Sequence, residues 1–241
     1  MRATVWFFDL DDTLHDASTA SMPHLRASFG EYIEQHLRMT RDESDALRRR
    51  YWLRYGATLL GLVRHHGVRA AHFLHETHRL PGLEARVRGH RADLRALARL
   101  PGRRFILTNA PAAYAERVLV ALGIGHCFEA VLSIERMHMF GQLRPKPDAR
   151  MLRRMAARLR VPPAACVLVE DTLAHQKSAH RIGMGTVWMQ RWVRPKPGGG
   201  RPAGHAAAPQ PPGLAPAGPP GAGRPGYVDR RIRRLADLLR R

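Results

Sequence analysis

A series of short apolar runs, each ending in polar residues, constrains the fold of this chain more than any other feature. The first, "TVWFFDL" (Thr4–Leu10), is almost entirely apolar until it reaches its carboxylate. Such a run is typical of a strand that is buried on both faces. Four similar runs follow at 104–109, 130–134, 166–171 and 185–189.

Helical patterns separate these runs. We predict one helix over Ala112–Leu122, a second from Pro147 to about Leu159 and a third over His175–Ile182, with Gly123 and Gly183 after the first and third. Proline suits a first helical position and glycine suits the position after a helix. Strands that alternate with helices predict βα units, and therefore an α/β fold with a parallel sheet.

The interval 17–99 interrupts this alternation. It shows several helical patterns and no convincing strand, and Thr40 with Glu43 gives the signature of a capping box. We predict an all-helical module inserted after the first strand. The expected division is a core of residues 1–16, 100–192 and 227–241, with the helical insertion at 17–99.

Residues 193–226 are rich in proline, glycine and alanine. Such a composition cannot bury a core, so we predict a disordered insertion. Beyond it, Tyr227–Val228 is predicted as a last short strand. The apolar side chains that follow share one helical face, which favours a helix packed on the sheet over a membrane or partner helix. They are Ile232, Leu235, Leu238 and Leu239.

The net charge of +20 raises the question of nucleic-acid binding. The basic residues are almost all arginine, with three lysines, and they are scattered over several helices. We therefore predict no specific nucleic-acid partner, although a basic surface attracts a small phosphorylated metabolite.

Other features favour a cytoplasmic protein that has no membrane partner. Cys127 and Cys166 lie in apolar surroundings and are predicted to be buried thiols. The N-terminal apolar run meets an acid too soon for a signal peptide, and no run of about 18 apolar residues exists.

Acidic and polar clusters follow three of the predicted strands, at the edge where α/β sheets bind ligands. The first cluster holds Asp9, Asp11, Asp12 and Thr13. Strand residues alternate sides, so we expect Asp9 and Asp11 to point the same way. Two such carboxylates suit a divalent cation, a nucleophile and a general acid/base. The alternative is a helix cap or an acidic turn.

The other two clusters are Thr108–Asn109 and Glu170–Asp171. A hydroxyl and free N–H groups at a strand-to-helix turn suit a phosphoryl oxygen, although such turn residues are common. Acids that end a buried strand require a cation or donors, and oxygen ligands favour Mg²⁺; the alternative is a helix N-cap.

Lys146 in "RPKPD" lies between the third strand and its helix. A lysine there can neutralise Asp9 and the charge of a phosphoryl group. The string "RPKP" occurs again at 194–197, inside the low-complexity segment, so we assign Lys146 to the site.

Together these residues resemble the haloacid dehalogenase-like hydrolase superfamily, subfamily I, through the order "DLDDTL", "LTN", "RPKPD" and "VEDT". The resemblance implies a Rossmann-like three-layer core with an inserted all-helical cap. It implies that Asp9 is a nucleophile that becomes an aspartyl-phosphate and that Asp11 is a general acid/base. Thr108 and Asn109 would bind the phosphoryl group, and Lys146 would stabilise its charge. Mg²⁺ would be held by Asp9, the Asp11 carbonyl and Asp171, with Glu170 in support.

The second acid of the first motif argues against the dehalogenase branch, which the resemblance implies lacks it. A narrower resemblance lies in "RYWLRYGATLLGL" (Arg50–Leu62), which is similar to the pyrimidine 5′-nucleotidase branch. It implies a nucleoside 5′-monophosphate as substrate, with Tyr55 and Thr58 as candidate substrate contacts. The alternative is that this segment is simply the apolar core of the cap. His175 stands where that branch often has asparagine.

Three hypotheses remain open from the sequence. The first is a phosphatase for a pyrimidine nucleoside 5′-monophosphate, acting as a monomer or dimer. The second uses the same site on phosphoglycolate or a sugar phosphate, as a phosphatase or a mutase. The third is a basic, non-enzymatic nucleic-acid or scaffold partner, for which clustered carboxylates have no use.

Overall fold

The computed structural model describes residues 4–192 and 224–240. Most of the predicted disordered insertion, residues 193–223, lies outside the described residues. Within them, six parallel strands form one sheet in the order β3-β2-β1-β6-β7-β8, and β4 and β5 pair as a separate antiparallel hairpin. The strands are β1 (Val5–Phe8), β2 (Arg103–Leu107), β3 (Ala130–Leu132), β4 (His138–Met139), β5 (Gln142–Leu143), β6 (Cys166–Glu170), β7 (Gly185–Met189) and β8 (Arg230–Ile232).

Helices cover both faces of this sheet and fill the interval after β1. No helix among the described residues is long and apolar enough to cross a membrane. The helices are α1 (Ala17–Ala20), α2 (Met22–Leu37), α3 (Arg41–Tyr55), α4 (Thr58–His66), α5 (Ala70–Thr77), α6 (Leu83–Arg86), α7 (Arg91–Arg99), α8 (Ala112–Leu122), α9 (Ala149–Arg158) and α10 (Leu173–His180).

The apolar runs predicted from the sequence are strands because both of their faces are buried. In β1, Val5 and Phe7 join one apolar cluster and Phe8 joins another, as expected when successive side chains point to opposite faces. The first cluster includes side chains of α9 and α10, and the second includes side chains of α7 and α8. The result is the predicted α/β, Rossmann-like arrangement of three layers.

Helices α2 to α5, called the cap helices below, surround an apolar core of their own. This core includes Ile33, Tyr51, Leu62 and Phe73. The capping box predicted for α3 is present, since the Thr40 N–H donates to Glu43 at 2.8 Å. By contrast, α6 and α7 bury leucines in the same cluster as the sheet, so they pack with the core layers.

The C-terminal prediction was wrong in its details. The last strand is β8 rather than Tyr227–Val228, because the Asp229 carboxylate accepts from the N–H and hydroxyl of Thr186 at 2.8 and 3.0 Å and fixes the register there. Ile232 therefore ends a strand, and the predicted helix is a 3₁₀ turn at Leu235–Leu239.

Two helix boundaries also differ from the prediction. Helix α9 begins at Ala149 rather than Pro147, because the Asp148 carboxylate accepts from the N–H groups of Arg150 and Met151 at 2.8 and 3.3 Å and caps the helix. Helix α10 begins and ends two residues earlier than predicted. The buried thiols of Cys127 and Cys166 are confirmed as predicted.

Gly61 in α4 permits a close contact with α3, which gives a test of the packing. A Cβ atom at Gly61 would lie 2.1 Å from the Tyr51 ring on α3. We expect Gly61→Ala to lower the free energy of unfolding by about 1–3 kcal/mol, since overpacking forces the ring to move. Urea unfolding measures this. Gly125→Ala is the control, because a Cβ there meets open space; equal effects of the two variants would contradict this packing.

Candidate active site

The sheet order brings the predicted polar clusters to one edge. Strand β1 lies between β2 and β6, and all three run parallel, so their carboxyl ends meet. Asp9 follows β1, Thr108 follows β2, and Glu170 ends β6. The chain leaves β1 toward β2 on one side and returns to β6 on the other, which creates the crevice where such sheets bind ligands.

Lys146 joins two of these strand ends. Its ammonium group donates to Asp9 Oδ1 at 2.6 Å and to Glu170 Oε2 at 2.7 Å. The Lys146 side chain is 1 % exposed and that of Glu170 is fully buried. A buried charge is tolerated only when it is paired. The lysine is therefore an integral part of the acidic site.

The charges of this cluster are not balanced. Burial raises the pKa of Asp9, Glu170 raises it further, and Lys146 opposes both. Burial also raises the pKa of Asp171, and Glu170 and Asp9 add to it. Burial alone would raise the pKa of Glu170 as well, but Lys146 and His175 hold it below its usual range. Lys146 contacts two of these three carboxylates, so a form of the cluster with all three ionised carries uncompensated negative charge.

This excess fits a divalent cation. Oxygens of Asp9, Glu170 and Asp171 lie within 4.8 Å of one another, and they are the one such group of potential ligands in residues 4–192 and 224–240. Carboxylate oxygens are the donors that Mg²⁺ prefers. A bound divalent cation would favour the ionised forms of Asp9 and Asp171, against the effect of burial on their pKa. The side chain of Asp11 is not part of this group.

Asp11 instead has its own support. Asp11 Oδ1 accepts from the Tyr114 hydroxyl at 2.7 Å and contacts His15 Nε2 at 2.9 Å. Tyr114 is buried, and its oxygen also lies 2.8 Å from the Ser21 hydroxyl. No described residue bonds to Oδ2 of Asp11. One oxygen is thus fixed while the other is available to carry a proton.

Thr108 and Asn109 lie at the end of β2 as predicted, but the Asn109 side chain forms hydrogen bonds with the backbone of another segment. Its side-chain NH₂ donates to the Lys146 carbonyl, and its side-chain oxygen accepts from the Lys146 N–H, both at 2.9 Å. Thr108 is buried, and its hydroxyl accepts from the Ala110 N–H at 3.0 Å. Asn109 therefore fixes the segment that presents the lysine.

A cavity of about 240 Å³ opens between this sheet edge and the cap helices. The core side carries the predicted residues Asp9, Asp11, Thr108, Asn109, Lys146, Glu170 and Asp171. The cap side carries Thr58, which was predicted, together with Arg26, Phe29, Arg48, Trp52, Leu59, Phe73, Leu74 and His78. The cavity therefore has a charged floor and a mostly apolar roof.

Tyr55 is the predicted site residue that the structure leaves out of this cavity. Its hydroxyl lies 2.5 Å from His65 Nε2, and its ring packs against the apolar core of the cap helices. The last turn of α3 directs this ring toward α4, so the geometry gives no support for a substrate contact at Tyr55.

Sequence reasoning missed the residues that hold Asp11 and most of the cavity roof. His15 follows Asp11 by four positions, a spacing that could have suggested a contact. Tyr114 carries no such local signal, because 103 positions separate it from Asp11. Arg26 and Arg48 look like the other arginines of this arginine-rich chain until α2 and α3 are packed together.

A model of the haloacid dehalogenase-like hydrolase family matches residues 4–183. The match covers more than half of the chain, and it includes every acid and the lysine described above. The chain therefore belongs to the haloacid dehalogenase-like hydrolase family. The narrower similarity to pyrimidine 5′-nucleotidases stays a prediction.

Solved structures share this fold at low sequence identity. L-2-haloacid dehalogenase from Xanthobacter autotrophicus is 20 % identical with a TM-score of 0.59 over 99 % of this chain and 98 % of that one. The HAD phosphatase from Thermococcus onnurineus is 18 % identical with a TM-score of 0.58, over 98 % and 95 %. CbbY from Rhodobacter sphaeroides, in complex with phosphate, is 19 % identical with a TM-score of 0.58, over 98 % and 96 %. Enzymes with different reactions share the fold, so the site must identify the reaction.

The contacts of Lys146 generate a stability prediction. Lys146→Met leaves buried carboxylates without their cation, and we expect it to lower the free energy of unfolding by about 3–5 kcal/mol at neutral pH. Lys177→Met is the matched control, because Lys177 is exposed on α10, and we expect a change within about 0.5 kcal/mol. Denaturant unfolding of both variants measures the difference. Equal stabilities would show that the lysine does not hold the cluster together.

Proposed function

We propose that this hydrolase is a Mg²⁺-dependent phosphatase that cleaves phosphate monoesters through an aspartyl-phosphate at Asp9. The observation that carries the proposal is the pair of carboxylates at the cavity floor. Asp9 is held by Lys146, and Asp11 keeps one oxygen free of contacts with described residues. Two of the structures with this fold are a phosphatase and a protein in complex with phosphate.

In the first step, a carboxylate oxygen of Asp9 attacks phosphorus in line with the ester oxygen. A bond between Asp9 and phosphorus forms, and the bond to the leaving alcohol breaks. Asp11 gives its proton to that alcohol, so no free alkoxide is released. Lys146 offsets negative charge on Asp9 and on the phosphoryl group throughout this step.

In the second step, the aspartyl-phosphate is hydrolysed. Asp11, now ionised, takes a proton from a water molecule whose oxygen attacks phosphorus. The bond between Asp9 and phosphorus breaks, inorganic phosphate leaves, and both acids return to their starting states. The Tyr114 and His15 contacts keep Asp11 in one orientation for both transfers.

The magnesium site belongs to the same cluster. Asp9 and Asp171 would hold the ion, with the Asp11 carbonyl as the resemblance implies and Glu170 in support. When bound, Mg²⁺ supplies positive charge to the phosphoryl oxygens and orients them. The chain's own contribution is to hold its carboxylates in a buried, preorganised arrangement.

For the substrate we propose a pyrimidine nucleoside 5′-monophosphate. The cavity roof is rich in flat and apolar side chains, including Phe29, Trp52 and Phe73, which suit the face of a base. The segment Arg50–Leu62 adds its similarity to pyrimidine 5′-nucleotidases. We propose further that the enzyme acts in the cytoplasm as a monomer or dimer.

Phosphate release tests the reaction. We expect Asp9→Asn to lower kcat by at least about 10³-fold, because the amide cannot form the phosphoaspartate. Removing Mg²⁺ with a chelator has the same effect and adding it back restores turnover. Asp42→Asn on the exposed face of α3 is the control and keeps wild-type kcat. Undiminished turnover by Asp9→Asn would falsify the nucleophile assignment.

A substrate panel tests the nucleotide preference separately. We expect kcat/KM for uridine and cytidine 5′-monophosphates to exceed that for hexose 6-phosphates and phosphoglycolate by about tenfold or more, since stacking contributes roughly 1–3 kcal/mol per base. Purine nucleotides serve as a size control. A higher kcat/KM for phosphoglycolate or a sugar phosphate would reject the nucleotide and retain the phosphatase.

A further inference from the structure

The roof of the cavity carries two arginines that the proposed reaction does not use. Arg26 on α2 and Arg48 on α3 line the same cavity as Asp9. Around them the roof is largely apolar, with Phe29 and Trp52 nearby in the sequence of the same two helices. Two cations in such a wall require a physical explanation, because charged groups are costly to place in apolar surroundings.

The two arginines have a single carboxylate between them. Arg48 Nη1 donates to Asp45 Oδ1 at 2.9 Å, and the Arg48 side chain is 12 % exposed. The guanidinium of Arg26 has no hydrogen bond or ion pair with any described residue, and its Nε is buried without a partner. Burial lowers the pKa of Arg48, Asp45 opposes this, and Arg26 is close enough to lower it further.

The acids on the cavity floor do not supply the missing partner. An ion pair requires a carboxylate within 4.0 Å, and no carboxylate among the described residues lies that close to Arg26. Asp9 is engaged by Lys146. Both oxygens of Asp12 accept from Ser18, at 2.8 and 2.6 Å. The roof therefore keeps an excess positive charge in the wall of the cavity.

We propose that Arg26 and Arg48 form a subsite for a second oxyanion, carried by the leaving group of the substrate. The substrate class is then a phosphate monoester whose alcohol portion bears a carboxylate or another phosphate. A guanidinium group donates two parallel hydrogen bonds to either anion. This inference rests on the proposed phosphatase reaction and not on the proposed nucleotide, because uridine and cytidine 5′-monophosphates carry no second oxyanion.

Matched substrate pairs test the subsite. Orotidine 5′-monophosphate has one carboxylate that uridine 5′-monophosphate lacks. Phosphoglycolate has a carboxylate where 2-hydroxyethyl phosphate has a hydroxymethyl group. A hexose 1,6-bisphosphate and the 6-phosphate differ by one phosphate. We expect wild-type kcat/KM to favour the charged member of at least one pair by about tenfold or more, chiefly through KM. The pair that shows the preference distinguishes carboxylate from phosphate.

Variants identify the residues responsible. In Arg26→Gln and Arg48→Gln the preference should fall to within about threefold of unity, and Arg26→Lys should retain part of it because the charge remains. Arg49→Gln, on the exposed face of α3, is the matched control and keeps the wild-type ratio. No preference in any wild-type pair would overturn the subsite, as would a preference that survives both glutamine variants.

A binding measurement separates this inference from the reaction. Calorimetry with Asp9→Asn and Mg²⁺ gives the Kd of both members of each pair without turnover. A Kd preference for the charged member that disappears when Arg26→Gln is added supports the subsite. This holds even if the wild type hydrolyses no ester, and in that case only the phosphatase proposal fails. Equal Kd values within every pair would reject the subsite while leaving a working phosphatase intact.

Discussion

The contact between the Lys146 ammonium and the carboxylates of Asp9 and Glu170 is the interaction on which the site depends. It joins the ends of β1 and β6 to the segment between β5 and α9, which are far apart in the chain. Without a cation there, buried acids at adjacent strand ends would repel one another. Asn109 adds a third strand by holding the Lys146 backbone on both sides. The acidic edge of the sheet is therefore also where the ends of three strands are linked through Lys146.

In this arrangement the two carboxylate oxygens of Asp9, and those of Asp11, have different surroundings. One oxygen of Asp9 contacts Lys146, and one oxygen of Asp11 contacts Tyr114 and His15. Fixing one oxygen restricts the orientation of the other without occupying it. Preorganisation of this kind is the main contribution a protein makes to phosphoryl transfer, because the reaction itself needs little beyond positioning and charge.

The cavity is chemically divided between its floor and its roof. The floor is built from strand ends, which a parallel sheet brings together whatever the substrate. The roof comes from the cap helices. Most of the apolar side chains behind the roof belong to the cap core, and those behind the floor belong to the two clusters of the sheet.

The positions of Asp9, Thr108 and Glu170 could be predicted from the sequence because each depends on a local pattern. An apolar run followed by a polar residue marks a strand end, and parallel strands bring their ends to one edge. The position of the last strand could not be predicted in this way. Its register is fixed by the contact between Asp229 and Thr186, which are 43 positions apart in the chain.

Contacts between distant helices were decided by the tertiary structure alone. Tyr114 reaches Asp11 only when α8 packs on the sheet, and no spacing in the chain encodes that distance. Arg26 and Arg48 become a pair only when α2 and α3 pack together, because one arginine looks like another in a sequence that has so many. The sequence by itself thus determined five strands of the main sheet, the polar residues that follow them and the residue types of the site. The tertiary structure decided which of the remaining side chains face that site, since side-chain direction depends on packing across long separations.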